Sequence, residues 1–144
     1  MDKALNYLAL ARKARLLELG EEPVGAAARA LKARLVIVAA DATPPTWRRA
    51  KSFVAGTSQV CVKVPYTKDH LGQITGRTSL ALAAFTDAPL ALAFLQALEQ
   101  PEQYRQEIAL LQTQAERIRQ RQKEKDAHKR NVRMGRPKGG TQKS

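Results

Sequence analysis

One cysteine, Cys61, and two histidines, His70 and His128, leave little material here for several kinds of chemistry. A lone cysteine excludes an internal disulfide and any zinc site built on cysteine pairs. Within Val60-Cys61-Val62 it reads as a small buried hydrophobe, suited to a reducing cytosol. No apolar run approaches the about 18 residues of a transmembrane helix, and the N-terminus lacks a signal peptide's apolar core and cleavage site. A soluble, cytoplasmic protein is expected. Acidic residues are also scarce: 13 Asp and Glu face 25 Lys and Arg, a net charge of +12.

That excess is unevenly placed. Residues 112–144 hold 11 Lys and Arg against 3 Asp and Glu, so two thirds of the net charge sits in under a quarter of the chain. Such asymmetry favours a polyanion, because each phosphate neutralised releases a counterion. A tail needed only for solubility would be served at least as well by carboxylates.

Catalytic constellations are missing. No hydroxyl residue lies in an elbow motif, and His128 falls in the charged tail. Asp41 and Asp87 close apolar runs, where they are expected to cap the helices that follow. Leu71-Gly72-Gln73-Ile74-Thr75-Gly76-Arg77 lacks both the Lys-Ser/Thr ending and the preceding strand of a phosphate loop. Neither enzyme activity, a metal nor a cofactor is expected.

The strongest structural signal is Leu35 to Asp41, apolar until its last residue. A Val/Ile-rich run of this kind reads as a strand buried on both faces, with its ligand-facing loop at 41–45. Before it, a helix capped by Asp2 runs toward Leu16, with a short strand allowed at 17–19. A second helix starts near Glu22 and Pro23 and runs to Leu31. After it come a helix from Thr43-Pro44-Pro45 toward Ala55 and a strand from Gln59 to Val64. A short helix at 68–74, a strand at 80–86 and a helix at 89–98 follow. The alternation predicts a three-layer α/β/α sandwich over residues 1–100. Past Pro101, the residues Tyr104, Ile108, Leu111, Ala115 and Ile118 form one narrow helical seam, suited to docking on the sandwich. The helix is expected over 101–130, turning from amphipathic to basic, with a disordered basic tail at 131–144.

Two places in the sandwich offer binding chemistry. Gly20-Glu21-Glu22-Pro23 introduces a helix N-terminus with free N–H groups, and Arg29 and Lys32 extend from that helix. The loop Gly76-Arg77-Thr78-Ser79 is small, polar and basic. Phosphate contacts are expected from Arg117, Arg119, Arg121, Lys123, Lys125, Lys129, Arg130, Arg133, Arg136 and Lys138.

The stretch from Ala33 to Pro45, followed by Val64-Pro65-Tyr66, Leu71-Gly72, Gly76-Arg77 and an apolar strand, resembles the kink-turn-binding ribosomal protein family. Residues 71–87 are most similar to its small bacterial YlxQ-like branch. The resemblance covers about residues 3–98. It implies a sandwich that grips a sharply bent RNA helix, with Gly20, Glu21, Glu22, Arg77, Thr78 and Ser79 on its RNA-binding edge. The family's pattern puts Asn or Lys and then Glu or Gln where Glu22 and Pro23 stand here, and a basic residue at Ala26. A carboxylate repels phosphate and proline lacks an N–H, so the basic extension is expected to carry much of the affinity.

The expected function is therefore non-catalytic binding of ribosomal or other structured RNA, by the sandwich edge and the tail together. Two alternatives stay open. Arg133-Met134-Gly135-Arg136-Pro137 is a loose AT-hook, suited to a narrow A·T minor groove in DNA. The seam at 104–118 could instead make the chain a ribonucleoprotein interaction module.

Overall fold

In a computed structural model of the chain, which describes residues 2–133, Asp2 caps α1 (Lys3–Lys13) by accepting the Leu5 N–H at 2.8 Å. The helix stops short of Leu16. Arg15 takes a φ of 62°, and the chain turns straight into a three-residue strand, β1 (Leu17–Leu19). Gly20, at φ 92°, then introduces α2 (Glu21–Arg29). That conformation strains any residue with a Cβ. The apolar run forms β2 (Leu35–Val38), with all four residues buried.

Thr43 and two prolines start α3 (Pro44–Val54), which leads to β3 (Val60–Lys63). Thr67 caps α4 (Lys68–Thr75), and Gly76 ends it in the left-handed region at φ 81°. Asp87 caps α5 (Ala88–Ala97), which follows β4 (Leu82–Phe85). The last element is α6 (Arg105–Arg133), which continues past the expected boundary at residue 130.

The strands form one mixed sheet in the order β1-β4-β2-β3. β3 returns through a helix and pairs parallel to β2, while β4 inserts between β1 and β2 and runs antiparallel to both. Val36 and Val38 pack with Val24, Ala28, Ala50 and Ala84 beneath α2 and α3. Leu35 and Ile37 point the other way, as strand alternation requires. On that side α1 packs on α4 and α5, and the Phe85 and Phe94 rings meet at 5.0 Å. Three layers result, α/β/α, as the sequence predicts. Each fully buried Leu, Ile or Phe in them contributes about 1.5–3 kcal/mol.

A buried amide ties the layers where sequence placed only the start of a strand. Gln59 Oε1 accepts the Ala33 N–H at 2.9 Å, and its Nε2 donates to Ala28 O at 3.1 Å. The described residues divide after Gln112 into two compact units. Within the first, Tyr104 and Leu111 are buried and the Tyr104 hydroxyl donates to Lys63 O at 2.8 Å. Among the described residues of the second, α6 is a polar helix with Arg119 paired to Glu116 at 2.9 Å. Among the described residues, no helix is long and apolar enough to cross a membrane.

Candidate nucleic-acid interface

Sheet register brings four loops to one end of the sandwich. Leu19 pairs with Ala83 and Val38 pairs with Leu82, so β1 and β2 finish where β4 begins. Parallel pairing of Val38 with Lys63 adds the end of β3. The Gly20 N–H donates to Leu82 O at 3.1 Å, and the Ala39 N–H to Ala81 O at 2.8 Å. The start of α2 and the loop 76–81 thereby become neighbours. Gly20, Glu21 and Glu22 therefore share a rim with the exposed Arg77, Thr78 and Ser79.

The loop is held by close approach to α4. A Cβ on Gly72 would meet Arg77 O at 2.7 Å and Ser79 N at 2.8 Å, so only glycine lets the loop lie against the helix. Gly72 O accepts the N–H groups of both Gly76 and Arg77. The carbonyl of Lys68, in the same helix, accepts the Leu80 N–H at 3.0 Å. Arg77 and its neighbours thus stand on a braced turn.

Asp41 does not cap α3. Thr43 takes that role, and Asp41 Oδ1 accepts the Lys68 N–H at 2.8 Å, binding the β2–α3 loop to the start of α4. Asp87 caps its helix as expected, accepting the Leu90 N–H at 3.0 Å.

Charge at the rim is mixed. Gly20 supplies no side-chain cap and Pro23 no N–H, so Glu21 and Glu22 occupy the donor end of α2. Glu21 is ion-paired with Arg49 of α3, whose guanidinium also lies 5.5 Å from the Phe53 ring centroid. Both partners are exposed, so the pair contributes little stability. Arg29 and Lys32 lie elsewhere. They are exposed at the far end of α2, about 13 Å along its axis from Gly20, near the end of β4 marked by Phe85.

The basic residues of the extension that fall within the described side chains are all exposed on α6: Arg117, Arg119, Arg121, Lys123, Lys125, Lys129 and Arg130. Arg133 is the last residue of that helix. Arg136 and Lys138, with the AT-hook-like segment from Met134 onward, lie outside the described residues.

Sequence reasoning missed one cluster at this end. Trp47, half-buried on α3, has Lys51 Nζ 5.2 Å and Lys63 Nζ 5.0 Å from its ring centroid. The Trp47–Lys51 spacing of four places them on one helix face and was readable. Lys63 arrives from β3 and was not. Beneath them burial pushes the Cys61 thiol up to about 12, Lys51 opposing and Glu107 reinforcing that rise. The Tyr66 hydroxyl, donating to Asp2 Oδ2 at 2.8 Å, is likewise raised, first by desolvation and then by that bond.

No protein-family model and no curated protein matches the chain. Solved structures do share its fold. A protein of unknown function from Bacillus halodurans aligns with a TM-score of 0.64 at 25% identity, over 69% of this chain and all of that one. The 15.5 kD RNA-binding protein of Giardia lamblia aligns with a TM-score of 0.55 at 20% identity, over 68% of this chain and 83% of that one.

Proposed function

We propose that the chain is a non-catalytic RNA-binding protein of the cytoplasm. The sandwich end formed by Gly20–Glu22 and Arg77–Ser79 recognises a structured, kink-turn-like RNA, and the basic extension supplies phosphate contacts. The observation that carries the reading is the juxtaposition of the α2 N-terminus with the braced 77–79 loop. Its support is the fold shared with a protein described as RNA-binding and the net charge of +12. Ribosomal RNA is the partner this reading favours, with the protein working as a ribosome-associated component.

The test is a salt titration of the full chain against a kink-turn RNA, an unkinked RNA duplex of equal length and an A·T-rich DNA duplex. Tighter binding to the kinked RNA at every salt concentration is expected. Equal affinity for all three would leave only a polyanion-binding tail, and preference for the DNA would replace this reading with the AT-hook one.

A further inference from the structure

The Trp47 cluster points to a second contact on the same end of the sheet. α3 carries Arg48, Arg49 and Lys51 and no acidic residue, and Arg49 is already engaged with Glu21. Among the described residues, neither Lys51 nor Lys63 forms an ion pair. Instead both ammonium groups gather on one indole, Lys51 from the helix and Lys63 from the edge strand. The indole's π system attracts each ammonium group, so the two like charges share one aromatic partner.

Position adds to this. The end of β3 lies three strand spacings from β1, about 14 Å across the sheet end from Gly20. One polyanion can therefore touch both.

We infer that Trp47 organises Lys51 and Lys63 into a phosphate clamp, which extends the RNA footprint from the α2 rim across the sheet end to the β3 edge. Two compact, freely donating ammonium groups suit successive backbone phosphates and read no base. The inference rests on the RNA-binding reading, and its occupant is the RNA backbone.

Trp47 is the single tryptophan of the chain, so its emission reports on this place alone. The full chain is titrated with the kink-turn RNA while anisotropy of a labelled RNA and tryptophan emission are followed together. The variant carrying Lys51→Gln and Lys63→Gln is compared with one carrying Lys3→Gln and Lys13→Gln, which loses the same charge from α1. The clamp is expected to change Trp47 emission with the same midpoint as the anisotropy. The Lys51/Lys63 variant is expected to lower the slope of log K against log salt by about 2, and the α1 variant to leave it unchanged. An unchanged slope in the Lys51/Lys63 variant overturns the clamp, as does unchanged emission with RNA bound; in either case RNA binding itself stands. Absence of any anisotropy change refutes the RNA reading and the clamp with it.

Discussion

Replacing Gly72 by alanine sets two effects of opposite sign against each other. Gly72 lies inside α4, where alanine would ordinarily stabilise by about 1 kcal/mol. Here the added Cβ meets Arg77 O, Ser79 N and Ser79 Cα at 2.7, 2.8 and 2.9 Å. All three are backbone atoms, in a turn held by the Arg77 N–H to Gly72 O bond at 2.8 Å, so no side chain can swing away. Overpacking of this kind costs about 1–3 kcal/mol, and backbone contacts this short belong at the upper end. The net expectation is a loss of about 2 kcal/mol, read as a lower urea midpoint at unchanged slope and a Tm lower by about 6–8 °C. Because the loop that must move carries Arg77–Ser79, affinity for the kink-turn RNA should fall as well. Gly25→Ala is the control. There the Cβ would meet the Phe53 ring at 3.2 Å and Arg29 Nη1 at 3.4 Å, both ends of adjustable side chains, so stability should stay within about 1 kcal/mol of the parent. A Gly72→Ala protein as stable as the parent, or more so, would refute the close approach and with it the braced loop.

Further outcomes follow from other contacts. Gln59→Ala should destabilise by about 2–4 kcal/mol in chemical denaturation, since it leaves the Ala33 N–H and Ala28 carbonyl without their partner; a loss below about 1 kcal/mol would contradict that. Cys61, with its thiol pushed up to about 12, should react with an alkylating reagent at pH 8.5 at least 100-fold more slowly than a free thiol, until the protein unfolds. The same shift makes folding stability decline as pH rises above about 8.5, because the unfolded thiol ionises there and the folded one does not; equal reactivity in native and unfolded protein would reject both statements. Changing Glu22 to Asn together with Pro23 to Glu restores a donor side chain and a backbone N–H at the start of α2, and kink-turn affinity should rise. No rise would mean that this edge does not touch RNA.

How far the sequence could be read depends on whether a feature is local. The β2 run, the caps at Asp2 and Asp87, and the prolines opening α3 act within a few residues, and the structure has them where they were expected, except that β2 ends at Val38, three residues short of Asp41. β1 is three residues long, too short for a period, and stands as a strand only because β4 lies beside it. The placement of β4 between β1 and β2 rests on pairing between residues more than forty positions apart. Asp41 follows the same rule. Its position at a strand end suggested a cap, but Thr43 lies nearer the first turn of α3, and the Lys68 N–H comes from another helix. At the candidate interface, glycine and loop composition marked both Gly20–Glu22 and Arg77–Ser79, while their adjacency is a property of the sheet. Arg29 and Lys32 were grouped with Gly20 because they share its helix, yet a nine-residue helix carries them to the opposite end. The Glu21–Arg49 and Trp47–Lys63 contacts join separate elements, and no spacing announces them.

The division of labour between sandwich and extension is tested by comparing residues 1–112 with the full chain for binding to the kink-turn RNA and the unkinked duplex across a range of salt. The proposed function predicts that the shorter chain binds more weakly and with a shallower salt slope but keeps its preference for the kinked RNA. Loss of that preference on truncation would place recognition in the basic extension and contradict the role assigned to the sheet end.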